Sequence, residues 1–163
     1  MFTLRDNTII HAPIDRCFLL STSVVIVQKE LGMHPVEGRT SGLVTAGDKV
    51  LWKGWQLGLP QFHHSLISRF EPFRFFQDTM VAGRFKSFQH DHAFDTNPDG
   101  SITLADELRF SMPLGIFGWL VGRLIMVPHI RGLLRRRFRL LKRIAETDQW
   151  RDYLPDGETH LTV

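Results

Sequence analysis

Phe85-Lys-Ser-Phe-Gln-His-Asp-His-Ala-Phe-Asp95 is the stretch on which the reading of this chain turns. Alternate residues of an extended strand point to opposite faces. Phe88, His90, His92 and Phe94 therefore share one side, while Gln89, Asp91 and Asp95 share the other with Ala93 between them. Two imidazoles fenced by two phenyl rings are unusual for a packed core, because a buried imidazole needs a hydrogen-bond partner. Such a face either meets water or lines something other than packed hydrocarbon.

The flanks make this stretch one strand of a meander. Ala82-Gly83 breaks the chain before it, and Asn97-Pro98-Asp99-Gly100 after it is a hairpin signal, since Asp-Gly tolerates positive φ. Ser101–Met112 follows as the last strand. Phe73–Val81 precedes the stretch, behind the break at Glu71-Pro72. Further upstream, Gln61–Phe70 alternates Phe62, His64, Leu66, Ser68 and Phe70 against His63, Ser65, Ile67 and Arg69, which turns His63 outward. Beyond the turn at Gly58-Leu59-Pro60, Val50, Trp52, Gly54 and Gln56 alternate against Lys49, Lys53 and Trp55. With Val36–Leu43 and Phe2–His11 the count reaches about seven strands joined by short turns, an antiparallel arrangement.

Helices are expected at three places. Pro13 suits a first helical turn and opens a helix to Ser21. A second runs from Thr22 or Ser23 to Leu31, with Gly32 as its cap. The third is long, Ile116–Thr147, kinked at Pro128, with Val127, Ile130, Leu134, Phe138, Leu141 and Ala145 as its apolar stripe. Met112–Ile130 is mostly apolar, but Arg123, Gly115, Gly118, Gly122 and Pro128 interrupt it, so it reads as a buried helix and not as a clean membrane span. The fold class is α+β: a curved antiparallel sheet wrapped on a long C-terminal helix, with two short helices after the first strand.

Composition bounds the function. The 163 residues form one domain over 1–150 with a tail over 151–163. Thirteen Phe and four Trp against one Tyr give bulk without polar handles, as an interior wall requires. A single cysteine, Cys17, excludes an internal disulfide and fits a reducing cytosol, and no signal peptide is visible. The net charge of +3 is uneven: Arg131, Arg135, Arg136, Arg137, Arg139, Lys142 and Arg143 cluster with no acid among them. That run reads first as a solvated helix face and second as a contact for anionic membrane through Arg131–Arg143; a nucleic-acid partner is not expected. No nucleotide loop, nucleophile elbow or cysteine-based metal pattern is present, and no cofactor is expected.

Several local sequences resemble those of the START-like superfamily, also called SRPBCC: the birch pollen allergen, polyketide cyclase/dehydrase and lipid-transfer group. Ile10-His-Ala-Pro-Ile-Asp-Arg-Cys-Phe18 is similar to its strand-to-helix junction. Gly47-Asp-Lys-Val-Leu-Trp52, Phe76-Gln-Asp78, Gly83-Arg-Phe85, His90-Asp-His-Ala-Phe94, Asp106 and Met112-Pro-Leu-Gly115 resemble a bacterial subgroup of ligand-binding, cyclase/dehydrase-like proteins. The resemblance implies a helix-grip fold with a hydrophobic cavity between sheet and C-terminal helix. It is specific for the fold and weak for function.

If the apolar-rich strand faces all turn toward the long helix, Asp78, His90, His92 and Asp106 turn there too. The wall around a lipid, sterol or polyketide-like ligand would then include Trp52, Gln56, His64, Leu66, Ser68, Phe76, Met80, Phe88, Phe94, Leu108, Phe110, Trp119 and Phe138. Three readings of the polar group follow. Carboxylates and imidazoles satisfy one another and shape a pocket wall; or His90 or His92 is a general base oriented by Asp78 or Asp106, as a cyclase or dehydratase needs; or His-x-His with a carboxylate holds a metal. No metal is assigned.

Overall fold

The computed structural model describes residues 1–154. Strand β1 (Phe2–Ile10) leads into helices α1 (Ile14–Thr22) and α2 (Val24–Leu31). Strands β2 (Met33–Gly38), β3 (Lys49–Gln56), β4 (Leu59–Glu71), β5 (Phe75–Gly83), β6 (Ser87–Thr96) and β7 (Ile102–Ser111) follow. They form one antiparallel sheet in the order β1-β7-β6-β5-β4-β3-β2, so every neighbour except β1–β7 is a hairpin neighbour. Helices α3 (Gly115–Val121) and α4 (Val127–Ala145) close the chain, followed by a 3-10 turn at Asp148–Asp152. Most of the expected tail, His160 included, lies outside the described residues.

The two short helices pack by aromatic contacts. Phe18 of α1 is fully buried, with the rings of Phe70, Phe73, Phe76 and Phe94 at 5.2 to 5.7 Å, all tilted edge-on. Burying one such ring contributes about 1.5–3 kcal/mol, and edge-to-face pairs add to it. Gly32, in left-handed conformation at φ 65°, ends α2 as expected.

Two boundaries differ from expectation for local reasons. The strand expected over Val36–Leu43 is displaced to Met33–Gly38: a bulge follows Pro35, and Gly38 (φ 78°) turns the chain out of the ladder. The expected kink at Pro128 appears just before it, as a π-turn over Gly122–Met126. Proline lacks the N–H and crowds the carbonyl four residues back, so the helix opens by one residue there.

The segment read as a buried helix, Met112–Ile130, has its large side chains buried only toward its end, at Val127 and Ile130. Gly118 and Gly122 are covered, but Leu114, Ile116, Phe117, Trp119, Leu120, Val121, Leu124 and Ile125 are all exposed. Its apolar composition was legible; that the described residues leave most of these side chains open was not.

The core has two parts. One joins α1, α2 and the C-terminal half of α4 to Trp52, Ile67, Phe76, Phe94 and Leu104. The other joins Leu4, Leu108 and Phe110 to Val127, Ile130 and Leu134. Buried polar side chains lie at their junction: Glu30, His92, Asp106 and Arg137.

Candidate functional site

Strand register assembles the polar group. Asp78 on β5 stands opposite His90 on β6, and His92 on β6 stands opposite Asp106 on β7. From the other side, α4 inserts Arg137 and α2 inserts Glu30.

Asp106 is the hub. Its Oδ1 lies 2.8 Å from His92 Nδ1, and its Oδ2 accepts from Arg137 Nε at 3.0 Å. Arg137 Nη1 in turn reaches both Glu30 oxygens, at 3.1 and 3.0 Å. Burial opposes ionisation of Asp106, but His92, Arg137 and His90 outweigh it and hold the carboxyl well below its usual range. Burial pushes Glu30 up against the pull of Arg137. His92 goes down to about 3, chiefly through burial, with His90 and Arg137 adding to it, so the ring is neutral. A lone pair facing a carboxylate at 2.8 Å would be repulsive, so the neutral ring carries its proton on Nδ1 and donates to Asp106. Phe76 stacks on the His92 ring at 4.2 Å, and His90 lies 3.9 Å away on its other neighbour position.

Asp78 and His90 are different. Asp78 Oδ1 is buried and has no hydrogen-bond partner among the described residues. Burial pushes this carboxyl up to about 7, with His90 opposing the rise. His90 Nε2 lies 3.3 Å from Asp106 Oδ2 but outside hydrogen-bonding geometry, and is likewise buried without a partner. The two aspartates are therefore pushed apart: Asp106 stays ionised while Asp78 titrates near neutrality, which separates a fixed charge from a group that can give or take a proton.

Of the expected wall residues, Trp52, Phe76, Phe94, Leu108, Phe110 and Phe138 are buried by the protein's own packing. Gln56 bonds to Leu31 and to His129 Nε2 (2.9 Å). Met80 and Phe88 are half-buried on the inner face beside Asp78 and His90. Trp119 stacks on Phe2 at the molecule's edge, half-exposed, and is not in the wall.

His64, Leu66 and Ser68 are on the wrong face. The buried residues there are Ser65 and Ile67, with His63 in the same phase. The register shift between Ile67 and Arg69, which leaves Ser68 as an extra residue on β4, causes the error; the shift between His64 and Ser65 leaves its extra residue, Val81, on β5. Phe70 does face inward, so plain alternation counted back from it assigns the residues before Ser68 to the opposite side. His63, read as outward, packs edge-on against Phe88 at 5.0 Å and is pushed down to about 4, first by burial and then by His64 and His90.

Arg137 and Glu30 were missed. Arg137 was counted with the basic run, yet it falls three residues after Leu134 and four before Leu141, within the apolar stripe. That spacing was a signal that one cation of the run points inward.

His90, His92 and Asp106 offer donor atoms within 4.8 Å of one another, a spacing a metal could use. The donors do not suit a cation, however. Arg137 Nε already occupies Asp106 Oδ2, and its Nη2 lies 3.2 Å from His92 Nδ1. A guanidinium among the ligands supplies the positive charge itself.

Two open clefts occur elsewhere. One of about 540 Å³ lies along the β2–β4 edge at Val36, Trp55 and Phe62; one of about 740 Å³ lies between α2 and α4 at Lys29, Arg136, Arg139 and Arg143. Neither is lined by His90, His92 or Asp78. On the inner face of β5 and β6, Asp78, Met80, Phe88 and His90 are only half-buried.

Solved structures share this architecture. Zhui aromatase/cyclase from Streptomyces sp. R1128 superimposes with TM-score 0.72 at 12% identity, over 96% of this chain and 98% of that one. Major latex-like protein 151 from Panax ginseng gives 0.66 at 15%, over 90% and 98%. Ara h 8.0201 gives 0.61 at 11%, over 88% and 97%. The likeness is one of fold, and it agrees with the helix-grip architecture that the START-like, or SRPBCC, resemblance of the sequence implied. No protein-family model and no curated protein matches the sequence. At these identities the START-like likeness establishes the fold and not the reaction.

Proposed function

We propose that this START-like chain binds a hydrophobic small molecule that carries at least one polar oxygen. The ligand lies against the inner face of β4–β6, between that face and α4, with Met80 and Phe88 beneath it. One observation carries the reading: Asp78 and His90 stand directly opposite one another on β5 and β6, and Asp78 Oδ1 and His90 Nε2 are buried without a hydrogen-bond partner among the described residues. Each unsatisfied group costs about 1–3 kcal/mol. A ligand hydroxyl or carbonyl placed between them removes that cost, and apolar walls with few polar anchors are how such sites are built. A lipid, sterol or polyketide fits this description. Delipidated protein is expected to gain heat stability with at least one member of a panel of those classes. A flat response across the panel counts against binding.

A second reading is favoured by Asp78's displacement to about 7 beside a carboxylate that stays ionised. In it, Asp78 and His90 exchange a proton with the bound molecule at a carbonyl or an acidic C–H, as a cyclase or dehydratase requires, with His92 and Asp106 holding the site. Replacing both His90 and His92 by Gln, with the fold retained, must then abolish turnover of a substrate found in the panel. Unchanged turnover ends this reading. We propose that the protein works in the cytosol and meets anionic membrane through the basic face Arg131–Arg143 when ligand is exchanged.

A further inference from the structure

We infer that the segment Leu114–Ile125 is a membrane-inserting nose, which buries itself in the interfacial region of an anionic bilayer. The inference deepens the membrane contact proposed above and does not depend on which ligand is bound.

The surface is unusual for a soluble domain. Leu114 is 82% exposed, Ile116 77%, Phe117 75% and Leu124 65%, and Leu120, Val121 and Ile125 are exposed beside them. Contiguous exposed side chains of this size mark a docking site or an aggregation hazard. The β3–β4 hairpin adds more. Its turn carries exposed Trp55, Leu57 and Leu59, and Gln56 ties it to His129 in the first turn of α4. Hairpin and nose are thus held at the same end of the long helix.

Charge decides the occupant. Helix, π-turn and α4 run on without a gap from Gly115 to Ala145. Their outer side is apolar over the first three turns and then carries Arg131, Arg135, Arg136, Arg139 and Arg143, all exposed. Among the described residues, none of these arginines has a carboxylate within salt-bridge distance. A second copy of this chain would bring the same cations to the contact, whereas anionic headgroups neutralise them. Trp119 and Arg123 sit within the nose as interfacial residues do.

Length excludes a span. The most apolar window of the helix is only 22% buried, but the helix continues into α4, whose inner stripe is locked in the core. The free part, 7 residues of α3 and 5 of the π-turn, covers about 18 Å at 1.5 Å per residue. That falls short of the ~30 Å hydrocarbon layer and suits insertion to interfacial depth.

The test is flotation of the full chain with vesicles of phosphatidylcholine alone and of phosphatidylcholine mixed with phosphatidylglycerol. Two variants are compared at low and high salt: Phe117→Glu/Leu120→Glu/Leu124→Glu, and Arg135→Glu/Arg139→Glu/Arg143→Glu. All six positions are exposed, and circular dichroism checks the fold. The wild type is expected to float with the mixed vesicles and to keep part of its binding in high salt. The apolar-to-Glu variant should lose binding about tenfold or more, salt or no salt. The charge-reversed variant should lose only the preference for phosphatidylglycerol. Salt-sensitive binding that the apolar variant leaves intact overturns insertion while electrostatic contact stands. Absence of flotation, together with a wild-type dimer that the apolar variant converts to monomer, assigns the nose to self-association instead.

Discussion

Arg137 Nε lies 3.0 Å from Asp106 Oδ2, and the same guanidinium grips Glu30, so one side chain of α4 ties the last strand of the sheet to α2. The pairing fixes the depth at which the long helix sits over the sheet. Removing one partner of a buried ion pair strands the others, at about 3–5 kcal/mol. Arg137→Met is therefore expected to lower the unfolding free energy by about that much at pH 7, in urea titrations. In the variant, the buried carboxyls take up protons more readily, so its deficit should shrink toward pH 4.5. A deficit below about 1 kcal/mol at pH 7 would show that the network is decoration.

Asp78 has the opposite linkage from an ordinary carboxylate. Its folded pKa, about 7, is above the unfolded value near 3.8, so the folded state holds the extra proton between those limits. Stability from this group is complete below about pH 3.8 and declines as pH rises to about 7, by about 1.4 kcal/mol per pKa unit of displacement. Asp78→Asn should remove the decline and be more stable than wild type at pH 8. An unchanged slope of stability against pH would mean that Asp78 ionises normally.

His63 works the other way. Its folded pKa of about 4 lies below the ordinary 6.5, so the unfolded chain binds the extra proton and stability falls as pH drops from about 6.5 to about 4. His63→Leu should flatten that part of the profile by about one proton. An unchanged profile would mean that the fold leaves His63 free to protonate.

Much of this architecture was readable. Period-two alternation placed Asp78, His90, His92 and Asp106 on one face, because β5, β6 and β7 pair in regular register. β4 carries one bulge, and the extra residue at Ser68 reverses the phase of everything before it. Nothing local in His64-Ser-Leu-Ile-Ser68 signals a bulge, so His63 and His64 exchanged roles. Arg137 was hidden by its neighbours: in a basic run, one inward arginine looks like the rest unless the stripe is counted through it. The exposure of Leu114–Ile125 depends on what packs nearby, which no pattern within the segment records.

The phase of β4 can be tested by truncation. Ile67→Ala should cost about 2–5 kcal/mol, and Leu66→Ala under about 1. Equal costs would contradict the bulge at Ser68.

Gly122 is a close-approach position. A Cβ there would clash with the Phe2 ring and lie 3.1 Å from Met112. Gly122→Ala should therefore destabilise the protein despite the helix propensity gained, by displacing Phe2 from its stack on Phe110 (5.1 Å). Heat unfolding reads the sign directly, and a raised midpoint would refute the contact.

The central claim is that ligand sits on Asp78, His90, Met80 and Phe88. The most direct measurement is nuclear magnetic resonance of delipidated protein labelled at the methionine methyls, titrated with whichever lipid, sterol or polyketide raises its melting temperature. The Met80 methyl is expected to shift with saturation, and Asp78→Asn to weaken that titration. A stabilising ligand that leaves Met80 unmoved, and binds Asp78→Asn as tightly as wild type, would contradict the account.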